Sequence, residues 1–418
     1  MLSGDGFIAR IYNSTFNGNT GSGLGTGLFI DSYAVVTVAA SEISGNKGPS
    51  STGVYVNSAT VSMTESRVAN NVASSGDGGG IGMSLSTVRL KHTIISSNTA
   101  SGNGGGIFAS EESTVVLRGV NITENHALLS GGGVHVTGES LLYASTSCSF
   151  SILTMDFEES EKDDSDAAWV CLTRGDETTK LGGQLPLVDA MGSSLCPHAN
   201  IGALESFTMC LGDGPWTAWA TDDSMRGWSG GSWELTDVLA ENIAFGDLAR
   251  LTGNNMSTFN LGHDTGSTTV IGHNQAGTYG GGVFLDSETS GILVQTSVVG
   301  NAATENGGGI YANYQSDVGI YACGVHQNYA GGKGGAVFAF TLVTVAVNMT
   351  QFTMNSAAVY GGACYFSHIL SANIWSAVFE NNTAKSGGAL AYSDCSVGAS
   401  VVDRSDFVGN RVADEGRS

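Results

Sequence analysis

Charge is scarce in this chain: Asp, Glu, Lys and Arg make up only 13% of its 418 residues. The shortage falls mostly on the bases, with 16 Lys and Arg against 38 acids and a formal charge of −22. Such a surface repels DNA, RNA and anionic lipid headgroups, which excludes nucleic acid as a partner and disfavours polyanionic sugars unless a metal ion bridges them. No apolar run is long enough to span a bilayer, so no direct membrane insertion is read in this segment. Proline is rare, at 4 residues, and no apolar stripe of helical period appears. The start, Met1-Leu2-Ser3-Gly4-Asp5-Gly6, has neither the basic head nor the apolar core of a signal peptide. The end, Val412 to Ser418, stops partway through a repeat. The expectation is a fragment of a longer protein, in which missing targeting signals say little about location.

What is abundant is glycine, at 61 residues, and it is periodic. An Asn recurs at 19, 46, 71, 98 and 125, then at 274, 301, 328, 355, 382 and 410, mostly in steps of 27. Three residues before each Asn stands an apolar side chain: Phe16, Ile43, Val68, Ile95, Ile122, Ile271, Val298, Val325, Phe352, Phe379 and Phe407. Glycine clusters keep the same period, each followed by an aliphatic residue or Cys, such as Val54, Ile81, Ile107, Ile310 and Cys364. β-Branched runs such as Thr114-Val115-Val116-Leu117 follow. Glycine at this frequency excludes helical repeats. Short strands punctuated by Gly and Asn at a constant period define a solenoid. Each unit is too short to bury a core alone, and buries one only when coiled on its neighbours. The predicted fold is all-β, a right-handed parallel β-helix of about 27-residue coils with one large insertion. Equal letters then become vertical neighbours, and Asn71, Asn98, Asn125, Asn274, Asn301, Asn328, Asn355 and Asn382 form an amide ladder. The Asn is expected to occupy a left-handed turn position, which it tolerates.

The pairing of Gly-Gly-Ala-aliphatic with Phe-x-x-Asn resembles the repeat of the chlamydial polymorphic membrane proteins. More widely, the pattern is similar to that of right-handed β-helix proteins of the pectate-lyase type. Phe-x-x-Asn stands literally at Phe16–Asn19, Phe352–Asn355, Phe379–Asn382 and Phe407–Asn410, and Gly-Gly-Ala begins at Gly334, Gly361 and Gly387. The resemblance covers about 14–150 and 265–418 and implies a surface-displayed adhesin passenger. The chain departs from it in having no outer-membrane β-barrel after the repeats.

The pattern is interrupted between Asn125 and Asn274. It breaks after Cys148-Ser149-Phe150 and resumes at Ile271-Gly272-His273-Asn274, and splicing Phe150 to Gly272 recreates Phe-Gly-His-Asn. The reading is one solenoid built from 1–150 and 271–418, with 151–270 looped out of one coil. Two separate β-helices joined by a linker are the alternative. The insertion holds five of the six Trp and an acidic run, Glu158 to Asp166, which reads as a solvated loop. Cys148, Cys171, Cys196 and Cys210 could form two disulfides in a secreted protein, or remain buried thiols. Their spacing has no CxxC and fits no zinc site, so no metal or other cofactor is predicted. Cys323, Cys364 and Cys395 fall at different repeat phases and read as small core residues.

Chemistry is harder to find. Gly227-Trp228-Ser229-Gly230-Gly231 fits the nucleophile-elbow pattern but lacks the preceding strand and following helix that the mechanism needs. Bases are scarce in the repeats, and the acids form no paired column of the kind glycoside hydrolysis uses. The eight His are scattered, and His263-Asp264 is the weak exception. No catalytic residue is assigned. The alternative function is a polysaccharide lyase or glycoside hydrolase with a cleft beside the Trp-rich insertion. One column does invite a binding role. After the post-glycine aliphatic come Phe29, Tyr55, Gly82, Phe108, His135, Phe284, Tyr311, Phe338, Tyr365 and Ala391. Strand alternation turns this column outward, because its neighbours on both sides are aliphatic. Phe284, Tyr311, Phe338 and Tyr365 are therefore candidate contacts for a glycan or a protein surface. The competing reading is that the rings only stack on one another or lie under the insertion. Asn13, Asn121, Asn255, Asn348 and Asn381 head N-x-S/T sequons. The expected function is extracellular or cell-surface adhesion or recognition.

Overall fold

The structure, a computed structural model, describes residues 2–3, 6–146, 268–394 and 400–413, and within 147–267 the backbone of the strands alone. The chain divides into two compact units, Met1–Thr146 with Ser267–Ser418, and Ser147–Gly266.

The first unit is a right-handed parallel β-helix of about ten coils, and no helix occurs among its described residues. A coil carries four short strands, for example Val54–Asn57, Thr60–Thr64, Arg67–Ala69 and Val72–Ala73. Equivalent strands of successive coils pair in parallel, giving three 11-stranded sheets and one 10-stranded sheet. We call these the first to fourth sheets, in the order the chain meets them. The register follows the repeat: Val68 pairs with Ile43 on one side and Ile95 on the other. Within strands the pattern alternates, as in Val54–Asn57, where Val54 and Val56 face in and Tyr55 and Asn57 face out. The inward residues form one continuous core through Ile30, Met63, Met83, Ile95, Ile122 and Phe366. Each such side chain contributes about 1.5–3 kcal/mol by leaving water. At the C-terminal end Phe352, Phe379 and Phe407 stack at centroid spacings of 4.9 and 4.7 Å. The narrow fourth sheet turns Ala330, Ala357 and Ala384 inward, where they form a small buried cluster of their own.

The Asn ladder explains why one letter persists through the chain. Asn301 Oδ1 accepts from both the backbone N–H and Nδ2 of Asn274, at 3.0 Å each. Its own Nδ2 donates to the Ile271 carbonyl at 2.9 Å and to Asn328 Oδ1 at 3.0 Å. Both acceptor sites and both donors are used, and the group is fully buried. Asp lacks the donors and Ser the reach. Asn71, Asn98, Asn125, Asn274, Asn328, Asn355 and Asn382 repeat this geometry. The ladder Asn is not the left-handed residue. That conformation falls on the residue before it, including Glu124 (φ 58°), Gln327 (φ 55°) and Met354 (φ 54°). The turn bends just before the Asn so that its amide can point inward. Glycine is needed where coils touch. A Cβ on Gly53 would collide with the Gly80 carbonyl and lie 2.8 Å from Asn71 Nδ2.

Two hydroxyl rows, not anticipated from the sequence, line other corners. Between the second and third sheets, Ser14 N–H donates to Ser41 Oγ and Ser41 N–H to Ser66 Oγ, both at 3.1 Å. Between the first and second, the Ala59, Ser86 and Ser113 N–H groups donate to Ser86, Ser113 and Ser140 Oγ. Cys323 stands in the first row, its Sγ 3.2 Å from the Tyr321 carbonyl. Cys323 and Cys364 are buried free thiols.

Both halves of the repeat belong to this one stack: Ile271 pairs with Ile122 before the interruption and with Val298 after it. The splice lies earlier than Phe150. Phe150 belongs to the long strand Cys148–Asp156 of the second unit, and the apolar residue of this coil is Ile271 itself. The chain leaves the stack at Thr146 and returns at Thr269, whose N–H donates to Thr146 Oγ1 at 3.0 Å. Thr269 Oγ1 in turn accepts from Val120 N–H at 3.3 Å.

The second unit contains two mainly antiparallel sheets. One is centred on Cys148–Asp156, flanked by Leu204–Gly212 and Ser232–Asp237. In the other, Ala167–Arg174 pairs with Gly214–Asp222, which pairs with Met256–Leu261. The side chains of Cys148, Cys171, Cys196 and Cys210, the acidic run, the Gly227–Gly231 pattern and His263-Asp264 lie outside the described residues, as does Cys395.

Candidate functional site

The outward face of the first sheet carries two parallel rows. The aromatic row is set by the second residue of each strand, and a polar row by the fourth: Asp31, Asn57, Ser84, Ser110, Asp286 and Asn313 among others. Residues at these positions become vertical neighbours because the coils stack in register.

In the second half of the solenoid the rings form a closed column. Phe284, Tyr311, Phe338 and Tyr365 stack at 5.0, 4.9 and 5.5 Å with interplanar angles of 5–14°. They form a cluster separate from the core, so the row does point away from it. Yet each ring is only 5–7% exposed. Their faces are taken up by each other, and a second tier closes over them from the loop before the glycines. Tyr279 stacks on Tyr311 at 4.8 Å, and Tyr360 lies 6.0 Å from Tyr365. Lys333 Nζ sits 4.7 Å from the Tyr365 ring centroid and 5.5 Å from that of Tyr360. Burial raises the Tyr311 phenol pKa well above its ordinary value, with added repulsion from Tyr279, Asp286 and Glu305. Tyr279 is raised chiefly by its hydrogen bond to Glu305. The accessible aromatics here are therefore others: Tyr314, Phe340 and Tyr360, between 37% and 49% exposed. Sequence reasoning missed them, because they stand in turns or in the polar row, where no repeated letter marks them.

His135 continues the stack between Phe108 at 5.2 Å and Phe284 at 4.5 Å. Burial pushes its imidazole down to about 3, so it is a neutral ring at ordinary pH. In the first half the column is looser. Phe29, Tyr55 and Phe108 are half-buried, and Gly82 takes the ring position between the last two. In the polar row Asn57 Nδ2 donates to Asp31 Oδ1 at 2.8 Å, and Asn313 Nδ2 to Asp286 at 3.2 Å. Burial raises the Asp286 carboxyl pKa despite its hydrogen bonds.

A second feature lies on the corner between the second and third sheets. An open concavity of about 490 Å³ has Glu65 and His92 on one wall and Glu42, Arg67 and Ile94 on the other, over a floor of Ser14, Ser41 and Ser66. Arg67 Nε and Glu42 Oε1 are 4.0 Å apart across partly exposed side chains, a weak pair. No group of three or more His, Cys, Asp or Glu among the described residues is placed to hold a metal ion.

The comparisons with known proteins agree with the architecture. The family described as right handed beta helix region matches residues 2–150, the coils before the insertion. No curated protein matches the chain, and no solved structure does. The class this defines is a right-handed parallel β-helix.

Proposed function

We propose that the solenoid is a non-catalytic recognition scaffold, secreted or displayed at a cell surface, that binds glycan along the outer face of its first sheet. The observation that carries this reading is the pair of rows on that face. Exposed rim aromatics stand beside oriented Asp–Asn pairs, as where Phe340 is the register partner of Asn313, and an apolar edge next to oriented polar groups suits a pyranose. The resemblance of the repeat to polymorphic membrane protein passengers supports surface display. The closed Phe284–Tyr365 column supplies rigidity, and contact falls on its rim. A glycan array with the 418-residue chain tests this, alongside the Phe340→Ala/Tyr360→Ala pair. At least tenfold weaker binding is expected with an unchanged Tm. Unchanged binding, or capture of a protein partner with no glycan bound, overturns the glycan reading.

A carbohydrate-active enzyme is the second reading, favoured by the concavity that gathers Glu42, Glu65, Arg67 and His92. Reducing ends released from bound polysaccharide, and lost in Glu65→Gln, would establish it.

A further inference from the structure

The loop that precedes the glycines sets one residue per coil beside the closed ring column: Tyr279, Asn306, Lys333, Tyr360 and Ser386. Backbone bonds keep these positions in register. Gly280 N–H donates to the Asn306 carbonyl, Gly307 to that of Lys333 and Gly334 to that of Tyr360. Lys333 and Tyr360 also bridge in parallel. The residues are thus vertical neighbours, about 4.8 Å apart at the spacing of stacked strands.

Three consecutive members of this tier are open. Asn306 is half-buried and oriented: its Oδ1 accepts from the Lys333 N–H at 2.9 Å. That bond turns Nδ2 to the opposite side of the amide, and no group among the described residues accepts from it. Lys333 is held more firmly than an ordinary surface lysine. Its Nζ lies 4.7 Å from the Tyr365 ring centroid and 5.5 Å from that of Tyr360, and donates to Tyr365 Oη at 3.4 Å. The ring faces fix the ammonium by cation–π attraction. No carboxylate among the described residues pairs with it. Glu305, the acid of this loop, is bonded to Tyr279 instead. Tyr360 comes next, with its ring 41% exposed. A directed amide N–H, a positioned ammonium and an open ring therefore follow one another along the tier, and the free polar groups of the first two are all donors.

We infer that this tier binds a terminal sialic acid, with the sugar's carboxylate on Lys333 Nζ and Asn306 Nδ2 and the methyl of its acetamido group on the Tyr360 ring. A carboxylate only accepts, so it matches a pair of donors of which one is charged. The acetamido methyl supplies the apolar contact that the exposed ring lacks. The count of charges selects one terminal acid over a polyuronate. Lys333 is the only cation of the tier, and the acidic surface repels a chain that repeats its charge. The inference rests on reading this face as a glycan surface, and it names the sugar.

The test is an NMR titration of the full chain with sialyllactose, lactose and digalacturonate. Sialyllactose should bind about tenfold more tightly than lactose, the worth of one hydrogen-bonded charge. Lys333→Met keeps the stem over Tyr365 and should bring sialyllactose to the level of lactose without lowering Tm. Asn306→Asp keeps an acceptor for the Lys333 N–H and replaces the donor by a charge; it should weaken sialyllactose about fivefold and serves if the Met variant misfolds. Lactose binding as tightly as sialyllactose, digalacturonate binding more tightly than either, or a preference intact in both variants overturns the sialic acid site. The glycan face survives such a result if array binding still falls in the rim pair. Binding of no glycan, in the titration or on the array, overturns both.

Discussion

Asn301 has all four of its amide hydrogen-bonding positions used by groups of the adjoining coils. Truncating it leaves a buried N–H, an amide and a carbonyl without partners, each costing about 1 kcal/mol or more. Asn301→Ala should therefore destabilise by about 3 kcal/mol. Asn19→Ala should cost under about 1 kcal/mol, since Asn19 is exposed and bonds only upward to Asn46. Urea midpoints of the two variants check the contrast. The ladder was legible because one letter repeats at one period. The hydroxyl rows were not, because Ser and Thr also fill the surface and the row tolerates Val120, Cys323 and Ala377. The left-handed residue before each Asn follows no letter either: Gly45, Glu124, Gln327 and Met354 all adopt it, because stacking holds the backbone whatever the side chain. Burial pushes the Cys323 thiol up to about 12 and the Cys364 thiol up as well. Neither should react with iodoacetamide at pH 8 in the folded protein, and both should react at once in denaturant; mass spectrometry reads the difference.

At the scale of one strand per coil, alternation decided direction and stacking decided exposure. The second position of each first-sheet strand points outward, as a period of two requires. Whether a ring there meets water depends on its vertical neighbours and on the tier formed by Tyr279, Lys333 and Tyr360. The tier comes from the position just before the glycines, whose letter changes from coil to coil (Tyr279, Asn306, Lys333, Tyr360, Ser386), so the repeat does not mark it. His135 shows the consequence for pH. Its folded pKa, about 3, lies below the ordinary value of 6.5 because burial penalises the charged ring. Between those values the unfolded chain binds the proton and the folded chain does not, so stability falls as pH falls, by up to about 1.4 kcal/mol per unit. His135→Phe keeps the stack and removes this loss. The stability of the variant relative to the wild type should rise by about 2.5 kcal/mol between pH 7 and pH 4.5 in urea titrations. A difference that stays constant would mean that the imidazole is not sealed in the stack.

For the whole molecule, the interruption is a matter of one coil. Ser145 pairs with Arg118 and Val270 with Asn121, so Thr146 and Thr269 take the places of Gly119 and Val120, which are adjacent in sequence. Removing residues 147–268 shortens the 149-residue interval between Asn125 and Asn274 to the 27 residues of a regular coil. A chain so joined, with Thr146→Gly to meet the φ of 59° found at Gly119, should fold with its β-sheet circular dichroism and cooperative melting intact. A disordered product would show that the second unit is needed for the stack to form.

The sequence alone determined the period, the all-β class, the Asn ladder, the inward and outward sides of each strand, and the presence of both halves of the repeat in register. These follow from letters that recur because every coil meets the same neighbours. Only the tertiary structure decided which rings are closed and which are open, which corner residues carry the hydroxyl rows, and that the excursion leaves at Thr146 rather than Phe150. Those outcomes depend on unlike residues brought together by stacking, such as Ser51 beneath Gly82 or Lys333 over Tyr365, and no periodic letter encodes such a meeting.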